Sequence, residues 1–230
     1  SLVGQTLTVG NVAINESLTL DLSAASGVTL TGGTLTLGGG TTLTVNNGAG
    51  NTASFATALA GTGALVKSGA GALTLSGSNN SHTGSVDVNA GTLNASGGIG
   101  GNVTISNGAT LSPGGGAGTG VLTINGNLNM QAGSTLAAQI NGNTAGTGYD
   151  QVVVNGAVSI HANTTLAVTH GYPPAAGDVY TLIVNNAADA VVGAFNGLAE
   201  GGTRTAGGNG TVLTASYVGG TGNDVTLTAP

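Results

Sequence analysis

Residues 61–93, GTGALVKSGAGALTLSGSNNSHTGSVDVNAGTL, decide the fold of this chain. Short apolar pairs, such as Leu73 with Leu75 and Val86 with Val88, alternate with turns made of Gly, Asn and Ser. Apolar residues at every second position have the period of a β-strand. Strands this short bury too little surface against a single hairpin partner to be stable. The stretch therefore predicts coils that stack, each covering the apolar side chains of the coil before it.

The whole chain continues this pattern with an unusual composition. It has 230 residues, of which 45 are glycine, and only 4% are charged, whereas an ordinary globular domain has about 7% glycine and about 25% charged residues. Disordered chains lack apolar residues, but this chain is 40% hydrophobic, with Val, Leu and Ile at regular intervals. We therefore expect a folded, all-β protein, in which Ala56–Ala60 and Ala187–Val192 form at most one helical turn each.

Repeated strand–turn units without intervening helices indicate a right-handed parallel β-helix, or β-solenoid, with roughly 20 residues in each coil of three strands. The strands predicted up to residue 140 are Leu7–Val9, Leu18–Leu22, Val28–Leu30, Leu35–Leu37, Leu43–Val45, Ala64–Val66, Leu73–Leu75, Val86–Val88, Thr92–Asn94, Val103–Ile105, Thr110–Leu111, Val121–Ile124, Leu128–Met130 and Leu136–Ile140. We predict solenoid coils over residues 1–145, and a C-terminal β-rich capping module, continuous with the solenoid, over residues 146–230. Longer strands predicted at 149–156, 158–168 and 178–184 leave a β-sandwich or β-roll open as the alternative for this last part.

Threonine, serine and asparagine occupy many polar positions of these strands. In a solenoid, equivalent positions stack at strand spacing, so a charged residue would face its own copy at close range. Hydroxyl and amide side chains can instead bond one another and water. This stacking explains the Thr-rich outer faces without a ligand.

The opening stretch resembles the autotransporter-associated β-strand repeat, which occurs in surface-exported passenger proteins of bacteria. The pattern of that family is roughly G-x-G-x-L-x-K-x-G-x-G-x-L-x-L-x-G-x-N-x-Y-T-G-x-x-x-V-x-x-G-T-L. It is matched at Gly61, Gly63, Leu65, Lys67, Gly69, Gly71, Leu73, Leu75, Gly77, Asn79, Thr83, Gly84, Val88, Gly91, Thr92 and Leu93, with His82 where the family usually has Tyr. The resemblance implies an extracellular or cell-surface β-solenoid that has a separate outer-membrane barrel translocator as its partner.

The chain beyond residue 145 resembles the closing module of the same family, whose usual pattern is YDQ…V-x-G…FxxLPEG…SYxGGxGNDVxLT. The matching segments are Tyr149–Gly156, Ala194–Gly201 and Ser216–Thr228, with Ala199 where Pro is common. All four tyrosines and one of the two phenylalanines lie beyond residue 145. A solenoid end needs such larger side chains to cover its apolar core, so we expect a more aromatic C-terminal capping region.

Charge excludes several classes of function. The net charge is −6, and Lys67 and Arg204 are the only permanent cations. Nucleic acids and anionic membrane surfaces are bound by clusters of basic residues, so neither is an expected partner. No apolar run approaches the ~20 residues of a spanning helix, so this segment is not expected to insert into a membrane. The chain has no cysteine, which excludes disulfides and thiol chemistry.

One segment matches a calcium-binding motif. Gly219–Asp224 fits the first six positions of the G-G-x-G-x-D-x-U-x repeat, which binds calcium between successive copies. Here the motif occurs once, and a lone carboxylate supplies too few of the six to eight oxygen ligands of calcium. A tight turn is therefore the favoured interpretation, and we expect no metal site.

The titratable residues do not form a catalytic pattern. Polysaccharide enzymes on β-helices use clustered carboxylates, often beside a cation. Here we expect Asp87 and Asp150 to be solvent-facing groups at turns or strand edges. The histidines His82, His161 and His170 lack metal-ligand spacing and are expected at the surface, although His161 and His170 could approach across a hairpin. The acidic residues are scattered over Glu16, Asp21, Asp87, Asp150, Asp178, Asp189, Glu200 and Asp224. We predict no catalytic residue and no cofactor-binding residue.

Three classes of function follow from this sequence. The first is a non-enzymatic extracellular passenger that is structural or adhesive, with surface glycans or proteins as partners. The second is a self-associating subunit of a filament, sheath or surface layer. The third, ranked last, is a carbohydrate-active β-helix enzyme.

Overall fold

The computed structural model describes residues 4–77, 81–116 and 118–230, so Asn79 of the repeat pattern lies outside the described residues. The described residues form 28 β-strands and no helix, which confirms the predicted all-β class. In chain order the strands are β1 (Thr6–Val9), β2 (Val12–Ile14), β3 (Leu18–Leu22), β4 (Val28–Gly32), β5 (Thr34–Leu37), β6 (Thr42–Asn47), β7 (Thr52–Phe55), β8 (Ala58–Gly61), β9 (Ala64–Ser68), β10 (Ala72–Leu75), β11 (Ser81–His82), β12 (Val86–Val88), β13 (Thr92–Ala95), β14 (Gly97–Ile99), β15 (Val103–Ile105), β16 (Thr110–Pro113), β17 (Val121–Ile124), β18 (Leu128–Met130), β19 (Thr135–Ile140), β20 (Gln151–Val154), β21 (Val158–Ile160), β22 (Thr165–His170), β23 (Val179–Asn185), β24 (Val192–Gly193), β25 (Thr203–Thr205), β26 (Gly207–Gly208), β27 (Val212–Gly219) and β28 (Asp224–Thr228).

Up to β24, nearly every strand pairs in parallel with the strand three positions further along the chain, which is the pairing of a three-strand coil. Sheet 1 has the order β1-β4-β7-β10-β13-β16-β19-β22-β26, sheet 2 the order β2-β5-β8-β11, and sheet 3 the order β3-β6-β9-β12-β15-β18-β21-β24. Sheet 4 has the order β14-β17-β20-β23-β28-β27-β25 and supplies the third strand of the later coils. The predicted β-solenoid is thereby confirmed, while its right-handed coiling stays a prediction from the usual hand of parallel crossovers.

The length of a coil varies along the chain. Stacked partners lie 18 residues apart between Thr92 and Thr110, but 30 apart between Thr135 and Thr165. The longer coils carry extra residues at one corner, between sheet 1 and sheet 4. These corner loops are residues 114–120, of which Ala117 lies outside the described residues, 141–150 and 171–178.

The interior is one continuous apolar column, because every second residue of each short strand points inward. Stacking brings Leu73 of β10 against Leu93 of β13, which in turn lies against Leu111 of β16. The alternation within the strands predicts inward positions for seven residues, and all of them are at most 1% exposed: Leu73, Leu75, Val86, Val88, Leu93, Val103 and Ile105.

Parallel stacking continues beyond the predicted boundary at residue 145. Strands β19 and β22, on either side of it, pair in parallel over six residues, and β20 pairs in parallel with β23. Antiparallel pairing begins only where β28 joins β23 and β27 joins β28. Residues 151–193 are therefore solenoid coils rather than a sandwich or roll.

The C-terminal region buries its aromatic side chains. Tyr149 and Tyr180 meet edge to face with ring centroids 5.5 Å apart, and Phe195 lies 6.4 Å from Tyr217. That these rings serve to cap the solenoid stays a prediction.

Most of the missed strands consist of small residues, although β2 contains Val12 and Ile14. The missed strands are β2, β7, β8, β11, β14, β24, β25 and β26. The single strand predicted at 158–168 is wrong, because a turn divides it into β21 and β22. The helical turn expected at Ala56–Ala60 is wrong, because β8 occupies residues 58–61 and pairs in parallel with β5. The one expected at Ala187–Val192 is also wrong, since these residues form bends that lead into β24. The described residues contain no helix long and apolar enough to span a membrane.

Candidate binding surface

The outer face of sheet 1 carries two rows of small side chains in register, and all of these side chains except Ala72 are polar. Each row runs along the solenoid axis, because neighbouring strands are stacked coils. The first row is Thr52, Ala72, Thr92 and Thr110. The second row is Ser54, Thr74, Asn94 and Ser112. Adjacent strands are about 4.8 Å apart, so the polar groups of the second row repeat at that spacing, while Ala72 interrupts the first row.

These two rows form the floor of a groove of about 620 Å³. The groove extends from Gly27 and Val28, before and in β4, to Ala137 in β19. Among the described residues that line it, there is no Asp, Glu, Lys, Arg, His or aromatic side chain. The groove is therefore electrically neutral, and its polar chemistry is that of hydroxyl groups, one amide and backbone.

The corner loop 114–120 forms a wall at one end of the groove. Its residues Gly115 and Gly116 line the groove, and the carbonyl of Gly116 accepts a hydrogen bond from Gln139 Nε2 at 3.3 Å. Gly116 has a φ of +86°, and a Cβ there would lie 2.8 Å from the Asn94 side chain. Only glycine fits this position, because the loop backbone lies directly on the floor of the groove.

Asp150 ties this wall to the coil beneath it. Its Oδ1 accepts a hydrogen bond from the Gly120 amide at 2.9 Å, and its Oδ2 accepts one from the Gln139 amide at 2.8 Å. The residue is only 1% exposed, so the expectation of a solvent-facing group is wrong. Burial raises the pKa of the Asp150 carboxyl to about 6, although the two amide donors favour the charged form. Asp87, in contrast, lies half-buried on β12 and accepts a hydrogen bond from Ser85 Oγ at 2.8 Å.

Lys67 lies inside the coil rather than on its surface. It follows Leu65 by two residues on β9, so it shares the inward face, and it is 0% exposed. Its Nζ donates to the carbonyls of Ser68, Gly69 and Ala90 at 2.6, 2.7 and 3.1 Å. Burial lowers the pKa of the Lys67 ammonium to about 8, which still leaves it protonated at neutral pH. Its three protons then match the three carbonyl acceptors. The lysine of the repeat pattern thus satisfies the backbone of a corner.

Two of the three histidines are buried, so their expected surface position is wrong. His82 is 1% exposed and its Nε2 donates to the Gly63 carbonyl at 2.8 Å, while burial lowers the pKa of its ring. His170 is 0% exposed, stacks on Tyr172 and accepts a hydrogen bond from Asn209 Nδ2 at 2.9 Å. Burial lowers the pKa of the His170 ring as well. His161 is exposed in the turn between β21 and β22, which belong to different sheets and form no hairpin.

The segment Gly219–Asp224 forms a turn between β27 and β28. Asp224 is 5% exposed, and its Oδ1 accepts a hydrogen bond from the Asn185 amide at 2.9 Å. The carboxylate is therefore already used by the backbone of the neighbouring strand β23. Within the described ranges, no group of three or more His, Cys, Asp or Glu side chains could hold a metal ion.

Stacked parallel coils around one apolar column define the class of this protein, a β-solenoid. Residues 65–95 match the family model of the passenger-associated-transport-repeat. The matched segment runs from β9 to the end of β13, which is one full coil and part of the next, and it includes the corner that Lys67 fills. The match confirms the repeat family predicted from the sequence and indicates an autotransporter passenger-type protein with a surface or secreted location. No curated protein and no solved structure gives a significant match to the chain.

Proposed function

We propose that this chain is a non-enzymatic passenger segment that works outside the bacterial cell as a structural rod with an adhesive face. The observation that carries the proposal is the repeat at residues 65–95, which spans one full coil and part of the next in a continuous stack. A stacked solenoid gives an extended surface with repeated side chains, which suits attachment.

The chemistry of the described surface supports a role in binding rather than in catalysis. Of the three carboxylates described above, Asp150 and Asp224 each accept hydrogen bonds from backbone amides, and Asp87 accepts one from a serine hydroxyl. A hydrolase of the usual kind needs two free carboxyl groups that flank one bond of the substrate.

Surface display tests this proposal. The chain is placed between a signal peptide and an outer-membrane translocator, and intact cells are probed with an antibody and a protease. We expect antibody binding, protease sensitivity and increased adherence relative to cells that display an unrelated passenger. A chain that stays protected inside the cell, or that releases new reducing ends from polysaccharides, would contradict the proposal.

A second candidate function, self-assembly, is favoured by the first coil. Strands β1, β2 and β3 are the edge strands of their sheets. They surround an apolar cavity of about 180 Å³ that is lined only by apolar residues, among them Phe55 and Leu18, which is 51% exposed. Open strand edges beside apolar surface favour the addition of further strands from a partner.

Sedimentation over a range of protein concentrations separates the two candidates. Self-assembly predicts particles that grow with concentration, and it predicts that Leu18→Glu keeps the protein monomeric. Monomers at every concentration, for the wild type and the variant alike, would leave the passenger role alone.

A further inference from the structure

The groove on sheet 1 has features that a merely structural face does not need. Stacking alone explains rows of threonine on a solenoid. Stacking does not explain why loop 114–120 lies against the floor of the groove at Asn94. The buried carboxylate of Asp150 holds this loop by accepting hydrogen bonds from the Gly120 and Gln139 amides. A further bond from Thr119 Oγ1 to the Gly146 carbonyl, at 3.2 Å, joins this loop to the next corner loop, 141–150.

Ser112 gives independent evidence for a ligand at the walled end. It stands on the outer face of β16, lines the groove and is only 8% exposed. No described residue forms a hydrogen bond with its hydroxyl, and the oxygen is not among the fully buried polar atoms of the described residues, so it opens to the groove. The hydroxyl is therefore available to a group that enters the groove.

The chemistry of the lining selects the ligand. A threonine or serine hydroxyl both donates and accepts hydrogen bonds, which matches the hydroxyl groups of a sugar. The absence of charge among the lining residues, together with the net charge of −6, disfavours an acidic polymer. An extended peptide binds through free strand edges, whereas the backbone of this floor is already paired on both sides.

We propose that the groove binds a neutral polysaccharide, with the sugar chain lying along the solenoid axis over the two polar rows. The rungs repeat at about 4.8 Å, so successive sugars meet successive strands from β4 to β16. The groove has no aromatic platform, so binding depends on many weak hydrogen bonds and strengthens as the sugar chain covers more rungs. This inference rests on the proposed adhesive role and names its site and ligand class.

The test compares two isosteric variants of the purified full chain. Thr74→Val with Thr92→Val removes two hydroxyls from the middle of the floor and keeps the shape of the side chains. The control is Thr104→Val, the same change on the outer face of β15 in sheet 3. Valine suits an exposed strand position, and circular dichroism melting checks that each variant folds. The probes are an array of neutral glycans, matched acidic glycans, and soluble neutral oligosaccharides of two to eight sugars for titration.

We expect binding to neutral glycans only, with an affinity that rises with chain length and depends little on salt. Each lost hydroxyl is expected to weaken binding about threefold to tenfold, and Thr104→Val is expected to have no effect. The proposal is overturned if no neutral glycan binds at millimolar concentration, if acidic glycans bind equally well, or if the double variant binds like the wild type. Cells that still adhere while displaying the double variant would retain the proposed adhesive role but reject this groove as its site.

Discussion

The substitution Lys67→Met tests the role assigned to the buried lysine of the repeat. Methionine has a similar length and shape but no protons to donate, so the carbonyls of Ser68, Gly69 and Ala90 would lose the donor that they share. No backbone amide of the described turns and loops donates to these three oxygens. The change therefore isolates the hydrogen bonds from the packing of the side chain.

The magnitude follows from the three contacts. A buried polar group that loses its partner costs about 1–3 kcal/mol, so three carbonyls give about 3 kcal/mol at the lower end. The ammonium carries a burial penalty of its own, which the variant no longer has. We expect a net loss of about 2 kcal/mol in the free energy of unfolding, which for a chain of this size lowers Tm by about 4–8 °C.

Urea unfolding followed by circular dichroism measures this loss. The control is Arg204→Met, which removes the other permanent cation from a half-exposed position on β25 and should change stability by no more than about 0.5 kcal/mol. If Lys67→Met unfolds at the same urea concentration as the wild type, or at a higher one, the ammonium does not hold the corner together and the reasoning is wrong.

Three further predictions concern the core, the pH dependence and the wall. Leu73→Ala should lower the free energy of unfolding by about 2–5 kcal/mol, whereas Thr74→Ala, its outward neighbour on β10, should stay within about 0.5 kcal/mol; equal effects in urea would contradict the inward assignment. Burial holds the pKa of His82 below 6.5, so the unfolded chain takes up a proton first as pH falls, and stability is lost below about pH 6.5. His82→Tyr, which restores the usual residue of the repeat, should reduce the loss of stability between pH 7.5 and 5 relative to the wild type, and an unchanged pH slope would show that His82 does not titrate differently in the folded chain. The raised pKa of the Asp150 carboxyl has the opposite effect on stability, because below about pH 6 the folded chain takes up this proton before the unfolded chain does. Both the wild type and His82→Tyr contain Asp150, so the difference between their pH slopes reports on His82. Asp150→Ala should speed amide hydrogen exchange across residues 114–120, because it removes the acceptor of the Gly120 amide, while Asp87→Ala should not. Equal protection of these amides in both variants would show that Asp150 does not hold the loop.

Apart from β2, strand positions up to residue 140 were predictable from sequence where the alternation is made of large apolar residues. Val86–Val88 and Val103–Ile105 have the predicted bounds because their inward valines and isoleucine have strong β-propensity. Thr52–Phe55, Ala58–Gly61 and Gly97–Ile99 were missed because Ala, Gly and Ser give no such signal. They become strands because the coils above and below supply backbone partners, as when Ala60 of β8 pairs with Thr36 of β5.

The candidate groove was not predictable from the sequence, because it depends on where the inserted loops fall in the stack. Residues 114–120 and 141–150 are far apart in sequence but occupy the same corner of consecutive coils. The buried Asp150 was missed for the same reason, since both of its donors come from other parts of the chain. The buried Lys67 did have a signal: it lies two residues after Leu65 and so shares its inward face.

Several charged side chains of this protein lie at corners, where stacked strands do not supply hydrogen-bond partners for the backbone. Along the strands, each coil satisfies the backbone of the next, but coils of different length, such as 18 residues at Thr92–Thr110 and 30 at Thr135–Thr165, turn their corners differently and leave backbone groups without strand partners there. The ammonium of Lys67 meets three such carbonyls, while the carboxylates of Asp150 and Asp224 meet amides at two other corners. These charged groups form hydrogen bonds with backbone groups at the corners and do not lie on the outer face of sheet 1, which is neutral and regular. A neutral face with repeated hydroxyls discriminates by hydrogen bonding and by length rather than by charge, which is why the salt dependence and the chain-length dependence of binding are the sharpest tests of how this solenoid recognises a partner.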